Sequence, residues 1–293
     1  MFDCIVIVGL GLIGGSLAAA CQKKFPRARI VGVTRNPSAL RLAKKKKWID
    51  EGYKNVGAAR RVAPTIVILC TPVDTFKTLL KQIDRIAPSG TLVTDAGSVK
   101  GFIVRWANRQ KWRRIQYVGA HPMAGSHERG IEHARADLFE SALTFVTPDR
   151  RGGVTPPLTS KGRGNRARTV VINFWKKISG RVAVISPQKH DRITAEISHL
   201  PHVLASLLVN VPSHEALSFA ASGFLDTTRV AMGEPNLWVP IVQENRMELI
   251  RAIGRFEKNL KNLSRILKQK KFRLLHPIFQ ASQRRRRQIG RRS

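Results

Sequence analysis

The chain has 293 residues, 43% of them hydrophobic, with 52 lysines and arginines against 19 acidic residues. That apolar share supports a substantial core and excludes wholesale disorder, and the length suits one large domain or two ordinary ones. The formal charge of +33 gives a surface that attracts phosphates and other anions, so any nucleic-acid binding is expected to be non-specific and driven by charge.

The first element is an apolar strand, Cys4–Val8, followed by Gly9-Leu10-Gly11-Leu12-Ile13-Gly14 and a small-residue helical start at 15–20. A secretory signal or membrane span is excluded here, because Asp3 precedes the run, no basic segment leads it and glycines interrupt it. Strand, tight turn and helix are the context of a dinucleotide-binding fingerprint. Gly9 permits the turn, Gly11 lets backbone approach a pyrophosphate, and Gly14 lets the helix pack closely. The helix start at Leu12 and Ile13 offers free N–H groups to the phosphates.

A second strand follows at 29–33 and a helix at 37–47. Residues 65–70 read as a buried parallel strand, and Pro72 and Asp74 open a helix over 75–86. A strand at 91–94 leads into Asp95-Ala96-Gly97-Ser98, with Ser98 expected to cap a helix from Val99. Strands at 116–119 and 143–147 continue the alternation. The pattern predicts an α/β fold, a Rossmann-type doubly wound parallel sheet. Residues 150–168, rich in Gly, Pro, Arg and Thr, read as a mobile surface loop; a helix at 170–178 and a strand at 182–185 follow.

The domain boundary is expected near Pro187. This gives a dinucleotide-binding domain at 1–187, an all-helical substrate and dimerisation domain at 188–279, and a basic, disordered tail at 280–293. Ile193, Ile197, Leu200, Leu204, Leu207 and Val211 share a helix face, and Pro201 is expected to kink that helix. Leu249, Ile253, Phe256, Leu260, Leu263 and Leu267 make a heptad seam, which suits a homodimer interface better than an intrachain partner. Cys4, Cys21 and Cys70 lie in apolar runs and read as buried thiols of a reducing compartment, hence the cytoplasm.

In such folds an acidic residue about 20 positions after the glycines binds the ribose hydroxyls of NAD. Here Thr34 stands at that place and Arg35 follows. A hydroxyl and a guanidinium suit a 2′-phosphate, so NADP is preferred to NAD; an Arg35 turned to solvent admits either.

Two histidine motifs narrow the chemistry: His121-Pro122-Met123-Ala124-Gly125 after a strand, and Ser198-His199-Leu200-Pro201-His202 on the kinked helix. Gly223-Phe224-Leu225-Asp226-Thr227-Thr228-Arg229 and Gly97-Ser98-Val99-Lys100 add to them. Together with the glycine turn, these resemble the prephenate/arogenate dehydrogenase family of tyrosine biosynthesis, in order over about residues 5–267. The resemblance implies oxidative decarboxylation of a cyclohexadienol, with hydride passing to a nicotinamide. By the same resemblance His121 is the catalytic base and Ser98 binds the substrate hydroxyl and steadies His121. Arg229 grips the ring carboxylate, His202 contacts the side-chain end and His199 supports the site from behind. Trp238 corresponds to an aromatic that approaches the site across the dimer.

His199 and His202, with His190 and Asp191 near, lack a convincingly spaced third ligand, so no metal is expected. Nor is a fused mutase domain expected before Ile5, or a regulatory domain after Leu267. The other readings are a β-hydroxyacid-type dehydrogenase, which a catalytic lysine on the helical domain would favour, and a non-catalytic nucleotide- or nucleic-acid-binding protein on the same scaffold.

Overall fold

The computed structural model describes residues 2–125, 128–148 and 163–290. The chain divides into two compact units, Met1–Arg246 and Met247–Ser293.

In the first unit, β1 (Cys4–Val8), β2 (Arg29–Val33), β3 (Glu51–Tyr53), β4 (Ile66–Leu69), β5 (Thr91–Asp95) and β6 (Ile115–Tyr117) form one parallel sheet. Its order is β3-β2-β1-β4-β5-β6, the Rossmann-type sheet expected from the alternation. Strand order reverses between β1 and β4, which opens a crevice at their carboxyl ends. β1 is apolar throughout because both its faces are covered. Ile5 and Ile7 join a core with Leu17 and Ala18 of α1 (Leu12–Lys24). Val6 and Val8 face a second core, with Phe76 and Leu80 of α3 (Phe76–Ile86) and Ile103 of α4 (Gly101–Ala107). Between them, α2 (Pro37–Lys45) follows β2, its start capped by the Asn36 side chain and led by Pro37.

The run expected as one strand at 116–119 is split between two sheets. Val118 still donates its N–H to Val93 O. The chain then leaves the parallel sheet as β7 (Gly119–Pro122), antiparallel to β8 (Leu143–Thr147), which in turn pairs in parallel with β9 (Arg181–Val184). His121 therefore lies within a strand, opposite Phe145, rather than after one.

Most of the loop expected at 150–168 lies outside the described residues. Its last part does not fit that reading, because α5 (Arg163–Ile178) begins there. Phe174 and Trp175 of this helix are buried in the core beside α1, so packing sets a helix that the local composition concealed.

Beyond β9 the unit continues through α6 (Pro187–Thr194), a π-helical turn at Ala195–His199, and α7 (Leu200–Val209). Pro201 lacks an N–H and its ring crowds the carbonyl four residues back. The wider turn just before it, with Leu200 N–H bonded to Ala195 O, takes up that conflict. Next come α8 (His214–Ser218), α9 (Ser222–Thr228), a 3-10 turn at Arg229–Met232 and α10 (Pro235–Glu244). The compact unit runs past Pro187 because Asp191 of α6 is bonded to the start of α4. Ile197, Leu207 and Val211 of the expected apolar face are exposed.

The second unit contains most of α11 (Arg246–Lys268) and α12 (Leu275–Gly290). Along the heptad seam Leu249 is buried, whereas Ile253, Phe256, Leu260 and Leu267 are exposed. The tail expected to be disordered is helical as far as Gly290. Arginine, glutamine and alanine are good helix formers, and their charge did not prevent a helix. Among the described residues, no helix is long and apolar enough to cross a membrane.

Candidate active site

The glycine turn joins β1 to α1. Gly9 adopts φ +97°, open to glycine at little cost, and a Cβ there would meet Cys70 O at 2.7 Å. A Cβ at Gly14 would fall 1.7 Å from Gly9 O, so only glycine lets α1 pack this closely on the turn. At Gly11 a Cβ would meet nothing within 4 Å. The space over Gly11 is thus open, and no side chain caps the start of α1, which leaves the N–H groups of its first turn for an anion.

A cleft of about 1040 Å³ lies here, lined by Gly9, Gly11, Thr34, Arg35, Asn36 and Lys54 among others. Leu12 and Ile13 form the first turn of α1. Thr34 Oγ1 accepts from Asn36 N–H at 3.3 Å, and Arg35 is exposed. Lys54 follows Tyr53, whose carbonyl accepts from Thr34 N–H, so a second cation lies beside the expected ribose position. The open backbone, free helix start and cationic rim fit a dinucleotide. Cys70 lines this cleft and is half-buried, not fully buried like Cys4 and Cys21, because it sits where β4 runs out into the crevice.

At the carboxyl end of β5, Asp95 accepts from Gly97 N–H at 2.8 Å and from the Tyr117 hydroxyl at 2.6 Å. It also pairs with the ammonium of Lys100. Both charges of that pair are fully buried. Burial pulls the Lys100 ammonium down, while Asp95 works to keep it charged. This cluster ties β5, β6 and the Gly97-to-Lys100 segment together under Ser98. Ser98 is half-buried in a bend and caps no helix. α4 starts later, at Gly101, and its first N–H groups bond a remote carboxylate instead. Asp191 Oδ1 accepts from Lys100 N–H at 2.8 Å and Oδ2 from Gly101 N–H at 2.7 Å.

The same carboxylate orders two imidazoles. Asp191 Oδ1 lies 2.8 Å from His190 Nδ1, and His190 Nε2 lies 2.9 Å from His121 Nδ1. A carboxylate only accepts, so His190 carries its proton on Nδ1 and accepts at Nε2. His121 must then donate from Nδ1, which leaves His121 Nε2 as a free base. Burial, reinforced by its histidine and lysine neighbours, holds His121 well below the usual histidine range, and burial does the same to His190. Both rings are neutral at pH 7. His121 is 7% exposed and so not wholly sealed from solvent.

On the helical wall, His202 stacks flat on Trp238, ring centres 3.5 Å apart and planes 9° from parallel. A Cβ at Gly233 would come within 2.5 Å of both rings, so a larger residue there would displace the stack. Trp238 packs on His202 within the chain and also meets His199 edge-on at 6.0 Å; stacking shields the facing ring surfaces from water. His199 is fully buried, and burial pushes it down to about 4. Asn245, at the end of α10, bonds both His199 Nδ1 and the main-chain oxygen of Asp191. Arg229 is exposed at the start of a 3-10 turn that packs on α7, with no ion pair among the described residues.

The structure thus joins Ser98, the His121 relay and the His199–His202–Trp238 wall to one unit with the glycine turn. The residues that sequence reasoning missed are the partners: His190 and Asp191 as a relay, Lys100 with Asp95, and Asn245. The His-Asp pair after Pro187 was visible, but nothing local linked it to His121, 69 positions away from His190.

This architecture is that of the two-domain dehydrogenases that use nicotinamide dinucleotides. Residues 17–184 match the profile of the prephenate dehydrogenase nucleotide-binding domain, and 186–281 that of the prephenate dehydrogenase dimerization domain. Prephenate dehydrogenase of Bacillus subtilis is 34% identical over 276 residues, covering 91% of this chain and 70% of that protein. Among solved structures, prephenate dehydrogenase from Aquifex aeolicus in complex with hydroxyphenyl propionate and NAD+ superposes with a TM-score of 0.87. It is 29% identical over 99% of both chains. Synechocystis arogenate dehydrogenase gives a TM-score of 0.77 at 26% identity, over 98% of this chain and 99% of its own. The chain belongs to the prephenate dehydrogenase family.

Proposed function

We propose that this chain oxidises prephenate or arogenate with loss of the ring carboxylate as carbon dioxide, yielding 4-hydroxyphenylpyruvate or tyrosine. The observation that carries this is the Asp191–His190–His121 relay, which leaves an unprotonated imidazole nitrogen in a dinucleotide-binding frame. The turn from Gly9 to Gly14, with Leu12 and Ile13, would hold the pyrophosphate of a bound nicotinamide dinucleotide. That cofactor supplies the hydride acceptor.

His121 Nε2 takes the hydroxyl proton of the substrate. Asp191 steadies the resulting imidazolium through His190. Ser98 hydrogen-bonds the same hydroxyl. Arg229, free of any ion pair among the described residues, clamps the ring carboxylate in two parallel bonds and orients the ring. Carbon dioxide leaves as the electrons of its bond enter the ring, which becomes aromatic, and the ring oxygen takes its proton back from His121. The His202–Trp238 stack forms a flat wall for the side-chain end of the substrate.

Thr34, Arg35 and Lys54 favour NADP over NAD, because a 2′-phosphate would meet two cations and no carboxylate at that point. The active form is a homodimer: the match to a dimerization domain and the exposed apolar side chains on α7 and α11 support this. With three free thiols, it works in the cytoplasm.

The test is the absorbance of reduced nicotinamide when purified protein is mixed with prephenate or arogenate and with NADP or NAD. Turnover is expected with NADP and at least one substrate. Absence of turnover in all combinations would remove this function.

A further inference from the structure

Asn245 stands outside every motif, yet it touches two parts of the site at once. Its Nδ2 is 2.8 Å from the main-chain oxygen of Asp191 and 3.0 Å from Nδ1 of His199. A carbonyl oxygen only accepts, so the atom facing it is the NH2 group and the amide orientation is determined. The second hydrogen of that group then points to His199 Nδ1, which must carry a lone pair. A neutral imidazole has one proton, and it is therefore on Nε2. That Nε2–H is buried and has no partner among the described residues. His199 itself is 0% exposed. A buried donor without an acceptor is costly, so this hydrogen is held ready for an acceptor that the described residues do not provide.

We infer that Asn245 is a positioning residue: it fixes His199 as the Nε2–H tautomer so that this hydrogen is donated to an oxygen of the bound substrate. The inference rests on the substrate assignment above for its second half only. Three features agree with it. His199 is edge-on to Trp238, which stacks on His202, so the donor belongs to the wall assigned to the substrate. Asn245 also bonds the main-chain oxygen of Asp191, which pins the amide and so aims its second hydrogen at His199. A neutral donor can approach a carboxylate or hydroxyl without adding charge to the buried site.

The test combines nitrogen NMR of 15N-histidine-labelled protein with kinetics. In the free wild type, His199 is expected to be protonated on Nε2, and in Asn245→Ala to become a tautomer mixture. Saturating prephenate without cofactor, which cannot turn over, should shift the Nε2 signal in the wild type. Asn245→Ala should raise the KM for substrate about tenfold, the loss of roughly one hydrogen bond, with kcat changed far less. His199→Ala combined with Asn245→Ala should raise KM no more than His199→Ala alone, because Asn245 acts through His199. A wild-type His199 protonated on Nδ1, or additive effects in the double variant, overturns the positioning role. An Nε2 signal unmoved by a substrate that is turned over overturns the donation. The tautomer of the free protein is read without any substrate, so a failed substrate assignment leaves that result standing.

Discussion

His121 Nδ1 lies 2.9 Å from His190 Nε2, and this contact decides which nitrogen of His121 is basic. Since His190 is held on its other side by Asp191, the proton positions follow from the carboxylate outward. One acidic residue thereby sets the tautomers of two rings and also caps α4.

Replacing His121 by asparagine should lower kcat by about two to four orders of magnitude, the usual worth of a general base, with cofactor affinity little changed. Asp191→Asn should also lower kcat, since an amide can hold His190 in the wrong tautomer. Steady-state kinetics with titration of cofactor binding checks both; unchanged turnover in His121→Asn removes it from the chemistry.

Acid should destabilise the fold through its buried histidines. His121, His190 and His199 have folded values below the 6.5 of the unfolded chain, with His199 at about 4. As pH falls below about 6.5 the unfolded chain binds these protons first. The stability gained by keeping the rings neutral is therefore whole above that point and drains toward their folded values. Asp191, its carboxyl pushed up by burial, works in the opposite sense. The Tm should fall between about pH 7 and pH 5, and less steeply in His199→Gln. Equal slopes would mean that His199 titrates as it does in water.

Arg229→Ala should raise the KM for substrate about tenfold or more, as loss of a charge-assisted pair requires, without weakening the cofactor. A normal KM would return Arg229 to the bulk surface charge.

Arg35→Ala should weaken NADP more than NAD, because only the former carries the 2′-phosphate. Equilibrium titration with both reduced cofactors gives the ratio directly. Equal losses for both would defeat the cofactor assignment.

Much of this was legible along the chain. The glycines of the first turn need no tertiary information, since Gly9 and Gly14 are demanded by backbone geometry within a few residues. The parallel sheet followed from apolar runs alternating with helices. Composition misled in two places, at 163–168 and 280–290, where basic residues with no clear apolar pattern form helices. Pro201 was correctly read as a disturbance, but its resolution as a π-helical turn depended on how α6 and α7 had to run on together.

By itself the sequence determined the dinucleotide turn, the sheet that carries it and the histidines, because these depend on local conformation and short spacing. Only the tertiary structure decided which histidine nitrogen is free, what caps α4 and what holds His199. Those bonds join residues as far as 91 positions apart, and a donor has no assigned acceptor until the chain has closed around both.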